Sequence, residues 1–162
     1  GMLIPVPDID HTDFMLIIGA NPIVSNGSLM TAPGVGKRLK AIQQRGGKVV
    51  VVDPRRTETA RKADQHLFIR PETDALFMLA MVHTLFEEQL VTLGHLEDRI
   101  DGLEQLAEAV KPYSPENVAA ACCMTAEAIR ELAENFEITG GGEGINLPLI
   151  SGGPIEAGAG SS

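Results

Sequence analysis

Two short runs constrain this chain more than anything else in it. Phe14-Met-Leu-Ile-Ile18 is apolar throughout and stops at Gly19, and Val49-Val-Val-Val52 is β-branched throughout and stops at Asp53. Neither run alternates apolar with polar residues, so each requires cover on both faces, the condition of a strand inside a parallel sheet. Parallel neighbours need a crossover. Residues 33–45 supply one, with Val35, Leu39 and Ile42 at helical spacing, Pro33 tolerated near the helix start and Gly46-Gly47 at its end. The first half therefore reads strand, loop, helix, strand: a βαβ unit with a right-handed crossover.

Beyond Asp53, Pro54-Arg-Arg-Thr57 leaves the second strand and is expected to start a short helix through Lys62. Residues 63–69 read as a third, short strand, and Arg70-Pro-Glu-Thr-Asp74 as a turn that caps the next helix, Ala75 to about Leu93. That helix carries Leu76, Phe77, Met78, Leu79, Met81 and Val82, more apolar surface than one stripe requires. It is expected to be central to its own domain, the other reading being that it leans on a partner domain. Residues 94–101 read as a connection. Leu103, Leu106, Ala107 and Val110 form a stripe that stops at Lys111-Pro112. Ser114-Pro-Glu-Asn117 is a helix start, with Ser as cap, Pro at the first position and an acid in the first turn. Thr125 begins another helix, with Ile129, Leu132, Ala133 and Phe136 on one face. The reading is an α/β protein, a Rossmann-like three-layer sandwich with a mostly parallel sheet and a helical second half.

The leading residues 3–13 are rich in Pro and Asp and read as a loop. Residues 137–162 hold 8 of the 17 glycines, so a domain spanning 3–136 is expected to be followed by a Gly-rich tail, poorly ordered or of artificial origin. Gly1 before Met2 looks like a cloning remnant, which points to a piece cut from something larger.

Charge excludes one class of partner. The chain has 13 Lys and Arg against 22 Asp and Glu, a formal charge of −9, so general binding to a phosphate backbone is not expected, while one local anion site remains open. No apolar run approaches the roughly 18 residues of a membrane span, so no membrane insertion is expected. Cys122 and Cys123 are adjacent, which disfavours a bridge between them, and read as two small, partly buried helix residues. The start Gly1-Met-Leu-Ile-Pro5 does not read as a basic leader, and the compartment stays open between the cytoplasm and periplasm of a prokaryote.

Several familiar chemical motifs fail. Gly34-Val-Gly-Lys37 is not a phosphate loop, because Thr31 stands where its first glycine belongs and Arg38 where Ser or Thr belongs. Gly19-Ala-Asn-Pro22 has only the first glycine of a dinucleotide fingerprint. His11, His66, His83 and His95 show no metal-ligand pairing, and Asp8, Asp10 and Asp13 miss calcium-loop spacing. No catalytic set and no metal site stands out.

What remains is the rim of the sheet, because ligands of open α/β folds sit outside the carboxyl ends of the strands. Three loops leave those ends. The cofactor-binding candidates are Gly19, Asn21, Pro22 and Ser25 on the first, Asp53, Pro54, Arg55 and Thr57 on the second, and Glu72 and Asp74 on the third. Gly19 lets the backbone approach a phosphate, and Asn21 and Ser25 offer neutral hydrogen bonds to a diphosphate. Asp53 can take two ribose hydroxyls, and Arg55 can stack on a base or pair with a phosphate. Asp74 can accept two N–H bonds from guanine, a pair that adenine does not offer. Structural readings stand beside these: Asn21-Pro22 as a turn, Asp53 as the cap of the next segment, Thr73 and Asp74 as caps of the long helix. The residues alone leave two classes open, a nucleotide-binding module, for example of the NAD type, or a scaffold with no ligand.

Residues 17–27 (IIGANPIVSNG) and 46–83 (GGKVVVVDPRRTETARKADQHLFIRPETDALFMLAMVH) resemble the central domain of the molybdopterin oxidoreductases, the group of dimethyl sulfoxide reductases, formate dehydrogenases and nitrate reductases. The resemblance runs from about Pro5 to Phe136. It implies a domain similar to a dinucleotide fold that binds one of two molybdopterin guanine dinucleotides. Asn21 and Ser25 would then face the pyrophosphate, Asp53 and Arg55 would lie at the guanosine end, and Asp74 would pair with guanine. The family usually has glycine in the Arg-Pro-Gly-Thr/Ser-Asp turn, where Glu72 stands here. The resemblance also implies that the cysteine motif for a [4Fe–4S] cluster, the molybdenum ligand and the closing barrel lie outside this chain. The fragment would thus carry half of one cofactor site and no redox centre. Its partners would be the remaining domains of the parent enzyme, and the apolar helix makes self-association of the fragment a second expectation.

Overall fold

The first apolar run folds as its composition requires. In the computed structural model, which describes residues 8–27, 32–91, 93, 100–140 and 150–151, β1 (Phe14–Ile18) is buried at every residue. The chain divides into two units, Gly1–Phe68 with Asn146–Ser162, and Ile69–Ile145.

In the first unit β1 pairs in parallel with β2 (Lys48–Val52), from Phe14 opposite Lys48 to Ile18 opposite Val52. The crossover contains α1 (Pro22–Ser25) and α2 (Val35–Gln44). Val35, Leu39 and Ile42 of α2 are buried in one cluster with Met15, Ile17, Val49 and Val51, alternate residues of the two strands and hence one face of the sheet. Helix α2 ends as its glycines dictate. Gly46 takes φ +90°, and its N–H and that of Gly47 reach back to the Gln43 and Ile42 carbonyls at 3.1 and 2.9 Å, a Schellman closure. Gly47 also has no room for a side chain: a Cβ there would stand 2.5 Å from the Asp13 carbonyl oxygen and 2.7 Å from Ile42 Cγ2. The leading loop is tied to this corner by Arg45, whose guanidinium donates to the Ile9 and Thr12 carbonyls and to Asp13.

β3 (Gln65–Leu67) pairs in parallel with β2 and is shorter than residues 63–69. Its start is set by Asp64, whose carboxylate accepts the Val49 N–H at 2.8 Å while its own N–H donates to the Val49 carbonyl at 2.9 Å. Residues 58–62 form turns rather than the expected helix through Lys62. The Thr57 hydroxyl accepts the Ala60 N–H and the Thr59 hydroxyl bonds Asn21, so this segment is pinned as a turn against the first loop. A two-residue strand, β4 (Ile150–Ser151), lies within the Gly-rich 137–162 and pairs in parallel with the other edge of β1, giving the order β3-β2-β1-β4.

The second unit is helical: α3 (Asp74–Glu87), α4 (Leu103–Val110), a 3-10 turn (Lys111–Tyr113), α5 (Pro115–Cys122) and α6 (Ala126–Gly140). Helix α3 packs against all of the others, and Phe77, Ala80, Met81 and Thr84 are fully enclosed or nearly so, which is why it is apolar almost all round. It stops at Glu87 and not near Leu93. Gln89 takes φ +58°, and Leu90 N–H donates to the Leu85 carbonyl at 2.8 Å, a Schellman closure made without glycine. Ser114 caps α5 through the Asn117 N–H, and the Thr125 hydroxyl accepts the Ala128 N–H at the start of α6, both as their residue types predict. Ile129, Leu132 and Ala133 are buried on the predicted face of α6. Cys122 is buried, but Cys123 is exposed, because it occupies the left-handed corner (φ +56°) that ends α5. Most of the connection at 94–101, and residues 3–7, lie outside the described residues.

Together these elements make an α/β chain with a parallel sheet and a helical second half, the class expected from the two runs. Among the described residues no helix is long and apolar enough to cross a membrane.

Candidate functional site: the loops at the carboxyl ends of the strands

Parallel strands bring their carboxyl ends to one edge, so the loops after β1 and β2 are neighbours by construction of the sheet. After β1, Gly19 turns the chain at φ +60° while its N–H donates to the Val52 carbonyl at 2.9 Å. Asn21 follows, and every polar atom of its side chain is engaged. Its Oδ1 accepts the Thr59 hydroxyl at 2.8 Å and the Thr59 N–H at 3.2 Å, and its Nδ2 donates to Glu58 at 2.8 Å. Thr59 Oγ1 in turn accepts the Ile23 N–H at 3.2 Å. The amide of Asn21 therefore stitches the first loop to the second, across 38 residues of sequence. Pro22 is buried as the first residue of α1, and Ser25 is exposed at its end.

In the second loop Asp53 is buried at the tip of β2. Its N–H donates to the Leu67 carbonyl, its carbonyl meets His66 Nε2 at 3.1 Å, and its carboxylate accepts the Arg55 N–H at 2.7 Å, which closes the turn. Pro54, Arg55 and Arg56 are exposed, whereas Thr57 is buried with its hydroxyl on the Ala60 N–H. The Asn21 amide holds the Glu58 carboxyl below the ordinary carboxylate range, helped by its own backbone N–H and by Arg61 and Arg55. Between residues 53 and 62 stand four cations, Arg55, Arg56, Arg61 and Lys62, against two carboxylates, a local positive balance in an acidic chain.

Glu72 and Asp74 belong to the second unit. There the Arg70–Asp74 turn is bolted to the corner of α5: Arg70 N–H donates to the Cys122 carbonyl at 2.9 Å, and its guanidinium stands 3.1 Å from Cys123 Sγ. Burial pushes the Cys122 thiol up, opposed by the Thr73 side chain. The Thr73 hydroxyl bonds back to the Arg70 carbonyl at 2.7 Å instead of capping α3. Asp74, half-buried, is the first residue of α3 and supplies the acid of its first turn. Glu72 takes φ +70°, the left-handed conformation that favours glycine.

Of the residues expected from the sequence, the first unit brings the β1 and β2 loops together through Asn21. Pro22 and Thr57 are buried in the scaffold. Glu58, Thr59, His66 and Phe68 complete this edge and are not among the expected site residues; Glu58 and Thr59 act through Asn21 on the first loop and His66 through the Asp53 carbonyl, links that leave no local pattern. Among the described residues no group of three or more His, Cys, Asp or Glu side chains is placed to hold a metal ion.

The sequence pattern described as "Molybdopterin oxidoreductase" matches residues 3–138. The F420-dependent formate dehydrogenase subunit alpha of Methanocaldococcus jannaschii is 33% identical over 131 residues, 81% of this chain and 19% of that one. Formate dehydrogenase H of Escherichia coli is 31% identical over 131 residues, again 81% of this chain and 18% of its own length. Among solved structures, acetylene hydratase from Pelobacter acetylenicus superposes with a TM-score of 0.69 at 34% identity, over 81% of this chain and 17% of that one. The chain thus spans less than a fifth of each of these relatives.

Proposed function

The chain belongs to the molybdopterin oxidoreductase family, and on that premise we propose that it is the part of a larger molybdenum-dependent oxidoreductase that holds the guanosine diphosphate end of a molybdopterin guanine dinucleotide. The observation that carries this reading is the paired edge of the first unit. Gly19 turns the backbone beside a loop with exposed cations, and Asp53 sits at the tip of the adjacent strand. A diphosphate needs close backbone approach and positive charge, and a ribose needs a carboxylate that takes two hydroxyls.

Within the first unit the donor set suits the ribose and the phosphates of such a group. Asp53 would hold the ribose, with its turn to Arg55 keeping the carboxylate in place. Arg55 and Arg56 would neutralise the phosphates. Asn21 serves by fixing the two loops against each other, because its own amide is spent on Glu58 and Thr59. Ser25, exposed beyond α1, would add a hydroxyl. Asp74, for whose carboxylate no hydrogen-bond partner occurs among the described residues, would accept the two guanine N–H groups. When bound in the whole enzyme, the cofactor would supply the molybdenum centre for two-electron chemistry. An iron–sulfur cluster, the metal's protein ligand and the substrate contacts would come from the remaining domains. The strand order β3-β2-β1-β4 supports the dinucleotide-fold reading, since it puts the reversal of the sheet beside β1 and its Gly19 loop.

Calorimetric titration of the chain with GDP and ADP tests this directly. GDP should bind more tightly than ADP, Asp74→Ala should erase that preference, and Asp53→Asn should weaken both nucleotides. Equal affinity for GDP and ADP, or tighter ADP, would favour a nucleotide site of the NAD type instead.

A further inference from the structure

β3 ends in an aromatic pair that the fold leaves facing solvent. Phe68, directly after the strand, is 58% exposed and is the only aromatic among the large apolar side chains exposed in the described residues. His66 lies two residues earlier, hence on the same side of an extended chain. The two rings meet nearly edge to face, with centroids 4.4 Å apart and planes at 62°. His66 is itself fixed. Its Nε2 stands 3.1 Å from the Asp53 carbonyl, which can only accept, so that nitrogen carries a proton. Phe68 is thus braced on one side by an imidazole anchored to the backbone of Asp53.

The charges around this ring restrict what could cover it. Asp53, Arg55 and Arg56 share the same end of the sheet. An apolar helix or strand docking on Phe68 would desolvate them without pairing them. A nucleotide needs an aromatic face and charged partners together. Asp53 N–H bonds the Leu67 carbonyl, so the proposed ribose ligand and the aromatic pair stand on adjacent strands, roughly 4.8 Å apart in the sheet. A ribose seated on Asp53 would leave the end of β3 within reach of its base.

We propose that Phe68, braced by His66, is the platform on which the purine base of the bound nucleotide stacks. The inference rests on the nucleotide reading above and adds the residue from which the base draws affinity. Stacking is indifferent to which purine is bound, so Phe68 supplies affinity while the edge contacts supply choice.

The sequence contains no tryptophan, so Phe68→Trp introduces a single reporter at the platform. GDP should change its emission, and ribose 5-phosphate, which lacks a base, should not. By calorimetry Phe68→Ala should weaken GDP about tenfold and leave ribose 5-phosphate unchanged, while Phe68→Trp should keep GDP affinity. If GDP binds the unaltered chain and Phe68→Ala equally, with the tryptophan emission unmoved, the platform is wrong and the nucleotide reading stands. If GDP does not bind the unaltered chain, the nucleotide reading fails and the platform falls with it.

Discussion

Two backbone positions of opposite kind show what single residues decide here. Gly47 is enclosed: a Cβ would collide with the Asp13 carbonyl oxygen and Ile42 Cγ2, both on β1's approach and α2. Gly47→Ala should therefore cost about 2 kcal/mol, read as a lowered midpoint in urea with an unchanged slope. Glu72 is the reverse case, a side chain at φ +70°, where glycine is favoured. The left-handed conformation costs an L-residue roughly 1–2 kcal/mol, and glycine returns part of that through its more flexible unfolded chain. Glu72→Gly should thus stabilise the second unit by roughly 0.5–1 kcal/mol, visible as a higher melting temperature. A fall in melting temperature would mean that the Glu72 side chain contributes a contact worth more than the strain. Residues of this kind were half legible in the sequence. The paired glycines at 46–47 announced a helix end, but the partner of Asn21 did not announce itself, since a hydrogen bond to residues 37 and 38 positions away leaves no local pattern.

At the scale of elements, apolarity was the readable signal and side-chain competition was not. β1, β2 and α2 follow from runs and spacing, because burial on two faces or on one stripe fixes which residues can stand there. The segment 58–62 does not, because Glu58 and Thr59 bond Asn21, a partner that only the folded chain supplies. Helix α3 overran in the sequence reading for a related reason: Gln89 adopts a conformation that sequence assigns to glycine. The helical unit is also joined by charge. Arg130 of α6 binds Glu116 at the start of α5 and lies 3.9 Å from both Glu87 and Glu88 at the end of α3. Arg130 holds the Glu116 carboxyl down to about 2, from 4.5. A carboxyl with a lowered folded pKa stabilises above its unfolded value and loses that contribution as pH falls through the folded one. Stability of the helical unit should therefore drop between about pH 4.5 and 2, and Arg130→Met should flatten that limb. An acid limb of unchanged depth in the variant would show that other carboxylates set it.

The whole molecule spans less than a fifth of each relative compared, and its proposed role follows from what that stretch can hold. The sequence made the family legible, because the residues that build the sheet and its loops are contiguous along the chain. It made the candidate site legible only as three loops, since which side chains fasten them, Asn21 to Glu58 and Thr59 above all, depends on the pairing of strands. An acidic chain with a cationic loop beside β2 is suited to one local anion and not to a polyanion. The central claim is that this anion is a guanine nucleotide, and a thermal melt with millimolar GDP, ADP and NAD in parallel tests it most directly. A ligand at 100 times its dissociation constant adds about 2.7 kcal/mol, which at 2–4 °C per kcal/mol is roughly 5–10 °C for a chain of this size. The account predicts that shift with GDP, a smaller one with ADP or NAD, and a GDP shift cut back to the ADP level in Asp74→Ala; a shift with ADP or NAD that GDP does not match would contradict it.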